Sequence, residues 1–122
     1  MSFVNFSNHN SSKWTTAQLE AAKEYGDVID IAFPMIDPAA TKEDIALMAD
    51  KAVSDILSVS PSAVMVQGET TLVFAVVKRL QERGVLCLAS CTRRRSEEEL
   101  QRLSAAGLTR EGMFEFMGFR EY

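Results

Sequence analysis

The sequence predicts an α/β domain with a mainly parallel sheet, and three observations lead to that fold class. Segments with strand and helix patterns alternate four times along the 122 residues, with short connections between them. Apolar residues make up 47% of the chain, enough for an ordinary core without disulfide or metal staples. Residues 63–66 are apolar on both faces, as in a strand buried between two helix layers. We therefore expect a single three-layer α/β sandwich over residues 1–122.

The N-terminal segment predicts a strand, a polar loop and a helix. Residues 3–6 are β-prone, and the stretch 7–13, rich in Asn and Ser, favours turns and caps. Thr15 and Gln18 have the spacing of a capping box, and apolar residues at helical spacing follow them. The first helix is therefore expected over 16–25.

The middle of the chain continues the alternation of strands and helices. Residues 28–33 predict the second strand, and Asp30 inside this run suggests a less buried face, as at a sheet edge. Thr41 opens the clearest amphipathic helix of the chain. After the apolar strand come a helix over 71–83 and a fourth strand over 85–89.

Two interpretations of the C-terminal segment stay open. Ser96 begins a capping-box pattern that favours a short helix over 97–107, followed by a strand over 113–117. Alternatively, an extended segment 97–103 pairs with 113–119 as a β-hairpin. With right-handed crossovers, the expected strand order is 2-1-3-4 plus this C-terminal strand or hairpin.

Charge and composition exclude several classes of function. Thirteen basic and seventeen acidic residues give a net charge of −4, the wrong sign for a protein that coats duplex DNA or an anionic membrane. No apolar run is long enough to span a bilayer, and the N-terminus lacks a signal peptide pattern, so we expect a cytoplasmic protein. Cys87 and Cys91 are too far apart along an extended chain to form a disulfide. No cluster has metal-ligand spacing, so neither a metal nor a cofactor is expected.

Three polar segments follow predicted strands and should meet at one edge of the sheet. They are residues 5–13, 67–71 and 90–95, and the carboxyl edge where parallel strands end is the usual ligand site of such sheets. Their hydroxyls, amides, helix N-termini and arginines suit a phosphate. Alternatively, the loops only cap helices, and the arginine run 93–95 is a solvated face opposite the acidic residues 97–99. The residues expected to bind a ligand are Asn5, Ser7, Asn8, Lys13, Gln67, Gly68, Glu69, Thr70, Ser90, Thr92 and Arg94.

Two residues are candidates for catalysis. His9, the single histidine, would act as a general base, and Arg93 would stabilise developing negative charge. Gly68 stands without the other glycines of a dinucleotide fingerprint, and no P-loop is present, which argues against dehydrogenase and ATPase functions. Other interpretations stay open for three residues. His9 is either a general base or a turn residue, and Trp14 either stacks on a base or covers the core. Glu69 either binds a ribose hydroxyl or favours the helix N-terminus.

Four short segments carry a resemblance to a known family: Phe3-Val4-Asn5-Phe6-Ser7-Asn8-His9, Ala63-Val64-Met65-Val66-Gln67-Gly68-Glu69-Thr70-Thr71, Ser90-Cys91-Thr92-Arg93 and Phe119-Arg120-Glu121-Tyr122. They resemble the small stand-alone CRISPR-associated proteins with a Rossmann-like fold, which are related to CARF domains and ring nucleases of type III systems. The resemblance implies antiviral defence and a homodimer that binds a cyclic oligoadenylate across its subunit junction. By position it places Ser7-Asn8-His9, Gly68-Glu69-Thr70 and Thr92-Arg93 against the ligand.

Two functions follow as hypotheses. The first is binding of a cyclic oligoadenylate at the carboxyl edge of the sheet, with metal-independent cleavage by the ribose 2′-OH left open, because no established catalytic residue of the family is matched. The second is a non-catalytic Rossmann-like interaction subunit with no nucleotide ligand. The apolar helix 71–83 and the aromatic residues after Met113 also predict a homodimer.

Overall fold

The computed structural model describes residues 1–107 and 114–122. Within those residues the chain forms five strands, four α-helices and one 3-10 turn over Ser11–Lys13, and is therefore an α/β protein. The strands and α-helices are, in chain order, β1 (Ser2–Ser7), α1 (Thr16–Lys23), β2 (Asp27–Ala32), α2 (Lys42–Leu57), β3 (Pro61–Val66), α3 (Thr70–Glu82), β4 (Cys87–Arg94), α4 (Glu97–Ala105) and β5 (Phe114–Glu121).

The strands form one mixed sheet in the order β2-β1-β3-β4-β5. The pairs β1–β2, β1–β3 and β3–β4 are parallel, whereas β4 and β5 are antiparallel. This confirms the predicted order 2-1-3-4 followed by a C-terminal strand. Asp30 lies on β2 at the edge of the sheet and is exposed, as its position inside an apolar run predicted.

Helices cover both faces of the sheet. On one face, α2 and α3 pack against Phe6 of β1 and Val66 of β3. On the other face, Ala22 of α1 packs with Phe3 and Met65 of the same two strands. Because successive strand residues point to opposite faces, β1 and β3 can be apolar on both sides only when both faces are covered. The two strands are therefore the centre of the fold.

Side-chain caps begin the helices where the sequence predicted them. The Thr15 hydroxyl accepts the backbone N–H three residues later at 3.3 Å, and Thr41 forms a complete capping box at the start of α2. Ser96 caps α4 in the same way, at 3.2 Å. The helical interpretation of 97–107 is thus confirmed over Glu97–Ala105, and the hairpin alternative is wrong. Met113, where the last strand was expected to begin, lies outside the described residues.

The fourth strand is longer than predicted. We expected a strand over 85–89 and a loop over 90–95, but β4 continues to Arg94, which pairs with Phe114. The reason is β5, whose antiparallel pairing hydrogen-bonds the backbone of polar residues that have little tendency to form a strand alone. A β-bulge in this pairing lies next to Gly118, whose φ of +141° suits a residue without a side chain.

The two last strands extend past the rest of the sheet. β3 ends at Val66, whereas residues 91–94 and 114–118 continue as a two-stranded extension, which we call the β4–β5 arm. The arm therefore stands beside the carboxyl ends of β1 and β3 and leads into α4.

Both cysteines are free thiols, as predicted. Burial raises the pKa of Cys87 to about 11, so its thiol stays protonated and packs as an apolar side chain. Among the described residues, none of the helices combines the length and the apolar character needed to cross a bilayer.

Replacement of Val66 by Asp tests the burial of β3. Val66 is 0% exposed in the layer beneath α2 and α3, so a carboxylate there has no partner. Such a charge costs roughly 3–5 kcal/mol, a large share of the roughly 5–15 kcal/mol that keeps a domain folded. We expect the urea midpoint of Val66→Asp, measured by circular dichroism, to fall sharply. Ala32→Asp, at the exposed end of β2, is the control, and equal midpoints for the two variants would contradict this placement.

Candidate functional site

A cavity of about 370 Å³ lies where the carboxyl ends of β1 and β3 meet the β4–β5 arm, and we call it the edge cavity. This is the edge at which the sequence predicted a ligand site. The residues that line it are Ser7, His9, Lys13, Trp14, Thr15, Gln18, Met65, Gln67, Ser90, Thr92 and Phe114. Six of the predicted site residues are among them, namely Ser7, His9, Lys13, Gln67, Ser90 and Thr92.

Asn5 holds the loop that carries His9. The Asn5 side chain is 1% exposed, and its Nδ2 donates to the His9 carbonyl at 2.8 Å and to Asp30 Oδ1 at 2.7 Å. Its Oδ1 accepts from the Ser7 hydroxyl at 2.6 Å. These bonds use both N–H groups and the oxygen of the amide. The structure therefore places Asn5 under the loop as a positioning residue, not on the surface of the edge cavity.

Asp30 fixes the 3-10 turn that carries Lys13. Its two carboxylate oxygens accept from the Ser11 backbone N–H at 3.0 Å and from the Ser11 hydroxyl at 2.7 Å. Burial alone would raise the pKa of Asp30, but the hydrogen bonds from Ser11 and Asn5 outweigh it and lower the pKa. The carboxylate is therefore ionised at neutral pH, and its contribution is lost only as the pH falls through this lowered pKa. Sequence reasoning missed this role, which depends on the register that places Asn5 opposite Asp30.

Gln67 has a fixed orientation at the end of β3. Its Oε1 accepts from the Ser90 backbone N–H at 2.8 Å, which joins β3 to β4 at the floor of the edge cavity. The following Gly68 lies outside the cavity, and its role is steric. A Cβ at this position would come within 2.6 Å of the Phe33 ring, so a larger residue would displace Phe33 from Phe6, 5.0 Å away between ring centroids.

Glu69 and Thr70 also lie outside the edge cavity. The Glu69 carboxylate caps α3, accepting from the backbone N–H groups of Thr71 at 3.0 Å and Leu72 at 2.9 Å and from the Thr71 hydroxyl. Hydrogen bonds from the Thr71 hydroxyl and then from the two backbone N–H groups lower the pKa of Glu69. This geometry agrees with the helix N-terminal alternative rather than with a ribose ligand. Thr70 faces a different depression, between α2 and α3.

The structure places the arginine run away from the edge cavity. The Arg93 guanidinium donates to both Glu99 oxygens at 2.8 Å and to Glu115 at 3.1 Å. These carboxylates raise the pKa of Arg93, and hydrogen bonding from Arg93 lowers that of Glu99 to about 2. Arg93 thus ties α4 to the β4–β5 arm, in agreement with the alternative that the run faces acidic residues. Arg94 and Asn8 are exposed and do not line the cavity either.

One wall of the edge cavity is aromatic and apolar. Trp14 packs edge-on against the buried Phe3, with ring centroids 6.2 Å apart and an interplanar angle of 79°. Met65 and the half-exposed Phe114 complete this wall. Met65 and Phe114 were absent from the predicted set. No local pattern could have indicated Phe114, because only the β4–β5 pairing brings it to the cavity.

The edge cavity has a polar part in its lining. Lys13 and His9 contribute to it, together with hydroxyl and amide side chains. Among the described residues that line it, none is Asp or Glu. Although the chain has a net charge of −4, the described lining of this cavity thus carries a lysine and no carboxylate. Within the same described part of the chain, no three His, Cys, Asp or Glu side chains are grouped as metal ligands.

Comparison with known proteins identifies a family. A family model described as "Uncharacterized protein MJ1673 family" matches residues 1–120. Since the match covers nearly the whole chain, the chain belongs to this family. A comparison with curated proteins finds no match.

Proposed function

We propose that this member of the MJ1673 family binds a cyclic oligoadenylate in the edge cavity and serves antiviral defence as a CRISPR-associated protein. The observation that carries the proposal is the chemistry of the cavity, which joins cationic and neutral donor side chains to an aromatic wall. Such a combination suits a ligand with phosphates and nucleobases. The ligand class comes from the family resemblance described above. A Rossmann-like fold and a cytoplasmic location belong to the same proposal.

The phosphates would be held by side chains from two different elements. Lys13 supplies a positive charge from the 3-10 turn. The Thr92 hydroxyl faces it from the β4–β5 arm. Because Arg93 is already bonded to two carboxylates, we assign the main ground-state charge to Lys13.

The size of the edge cavity bears on the oligomeric state. Its volume of about 370 Å³ lies near the lower end of the roughly 300–1,000 Å³ typical of small-molecule sites. One nucleotide unit fits such a space, whereas a cyclic oligonucleotide extends beyond it. We therefore propose a homodimer in which a second copy contacts the rest of the ring.

The groove between α2 and α3 offers a contact surface for a second copy. It encloses about 800 Å³, and small apolar residues such as Ala46 and Ala75 line it. Phe74 stands at its wall with 69% of its surface exposed. Each copy thus presents an aromatic side chain and a hollow of small residues, which a two-fold axis could match to each other. The same surface would serve the alternative function, a non-catalytic interaction subunit that binds no nucleotide.

Cleavage is a further step of the proposal, in which His9 is the general base. His9 would accept the proton of a ribose 2′-OH, and the 2′-oxygen would attack the adjacent phosphorus. The bond from phosphorus to the 5′-oxygen would break, and water would protonate the departing oxygen, leaving a 2′,3′-cyclic phosphate. Lys13 lies in the same cavity and would stabilise the charge that develops on the phosphoryl oxygens.

Replacement of Lys13 by Ala tests ligand binding. Loss of a charge-assisted hydrogen bond should weaken binding by about 1.5–3 kcal/mol, and the difference from wild type should shrink as salt is added. Titration calorimetry with cyclic oligoadenylates of different ring sizes measures both effects. Arg93→Ala is the matched control and should bind as wild type, because Arg93 lies outside the cavity. The proposal would be contradicted if Arg93→Ala bound more weakly than wild type while Lys13→Ala bound as wild type. The ligand would then lie at the arginine run.

Replacement of His9 by Ala separates binding from cleavage. Loss of a general base should lower single-turnover cleavage by about 10²–10⁴-fold, while the dissociation constant stays close to that of wild type. Product formation is followed by chromatography, and Asn8→Ala, next to His9 but outside the cavity, is the control. If wild type binds the ring without cleaving it, His9 has no catalytic role and the protein is a sensor or a messenger sink.

Replacement of Phe74 by Lys tests the dimer. The new charge should convert the dimer to a monomer, because it would be desolvated among Lys42, Lys78 and Arg79, and none of the described residues that line the groove is Asp or Glu. Light scattering at micromolar concentration reports the mass. Met35→Lys, at another apolar residue that is 97% exposed, should leave the mass unchanged. A monomeric wild type would exclude the dimer.

A further inference from the structure

We propose that Gln18 and Gln67 together recognise a nucleobase edge that carries an amino donor beside a ring-nitrogen acceptor. The inference rests on the proposed function, since it concerns the ligand of the edge cavity. It assigns base specificity to two glutamines, of which Gln18 was absent from the predicted set.

The orientation of the Gln67 amide follows from its partner. A backbone N–H can only donate, so the atom that faces Ser90 N at 2.8 Å must be the oxygen Oε1. The nitrogen Nε2 then lies on the other side of the amide. None of the hydrogen bonds among the described residues uses this nitrogen, so its N–H groups are available to a ligand in the cavity that Gln67 lines.

The orientation of the Gln18 amide follows in the same way. Its Nε2 lies 3.7 Å from the sulfur of Met65, and a thioether can only accept a hydrogen bond. The nitrogen therefore faces Met65, and the oxygen Oε1 is the atom left for a ligand. Met65 and Gln67 are two residues apart at the end of β3, which places them on the same face of the strand. The cavity thus presents one acceptor, from Gln18, and one donor, from Gln67.

This pair matches one class of base and mismatches the other. Adenine and cytosine carry an amino donor next to a ring-nitrogen acceptor, and glutamine forms a paired contact of this kind with adenine. On their Watson–Crick edges, hypoxanthine and uracil carry a carbonyl acceptor next to a ring N–H, so both bonds would be mismatched in the same pose. Trp14, held edge-on by Phe3, provides a surface on which the base would stack.

Calorimetry with base-substituted rings tests the inference. The wild-type protein is titrated with the cyclic oligoadenylate of the tightest-binding ring size and with its inosine and cytidine analogues, which keep the same phosphates and riboses. We expect the inosine ring to bind at least ten-fold more weakly than the adenosine ring. The cytidine ring carries the same edge pattern and should also bind more tightly than the inosine ring; a cytidine ring that binds no better than the inosine ring contradicts recognition of this pattern. Equal affinity for the adenosine and inosine rings overturns it and leaves phosphate binding intact. If none of the rings binds, the proposed function fails instead.

Gln67→Glu gives the second measurement. The carboxylate can still accept from Ser90 N–H, so the fold should be kept, but the donor becomes an acceptor. The ratio of the affinities for the adenosine and inosine rings should then fall at least ten-fold relative to wild type. Gln101→Glu, an exposed glutamine on α4, is the matched control for the added charge. An unchanged preference in a Gln67→Glu protein that melts like wild type would overturn the assignment.

Discussion

Helices cover both faces of β1 and β3, and the rest of the structure depends on this burial. A polar group inside either strand must find a partner within the protein, because an unpaired one would lose its hydrogen bonds with water. Asn5 is the clearest case: it is buried at the centre of β1 and bonds to Ser7, His9 and Asp30. The same requirement directs the remaining polar side chains to the strand ends. The edge cavity is formed where these ends meet.

The sequence predicted the parts of the fold that depend on local patterns. A β-prone run predicted β1 and a run that is apolar on both faces predicted β3, while Thr15, Thr41 and Ser96 marked helix starts that the structure confirms. The position of the cavity could be predicted because parallel strands share one carboxyl edge. The extension of β4 could not, since its strand conformation depends on pairing with β5, from which it is separated by α4 and the residues around it. Phe114 was missed for that reason.

The sequence also could not predict which side chains bond to each other. A run of three arginines indicates positive charge, but it does not show that Arg93 is bonded to Glu99 and Glu115. One of these carboxylates lies on α4 and the other on β5, so the charge is compensated by elements that local reasoning treats separately. Glu69 is a similar case, because its carboxylate is used to cap α3. The positive side chain that lines the edge cavity is therefore Lys13. It is exposed, so its attraction for an anion depends on salt.

Tyr122 links the end of β3 to the start of β4. Its hydroxyl donates to the carbonyl of Val66, the residue just before Gln67, and its backbone N–H donates to the Cys87 carbonyl at 3.1 Å. Burial, with a smaller effect of Cys87, raises the pKa of Tyr122, so the hydroxyl stays a donor throughout the neutral range. β3 and β4 are thus linked twice, through Tyr122 and, at the edge cavity, through the bond from the Ser90 N–H to Gln67. These two links hold the neighbouring residues Val66 and Gln67. The direction of the Gln67 amide is therefore set by the sheet and not by a flexible loop. A site built in this way can distinguish ligands by hydrogen-bond pattern, since its donor need not reorganise when the ligand binds.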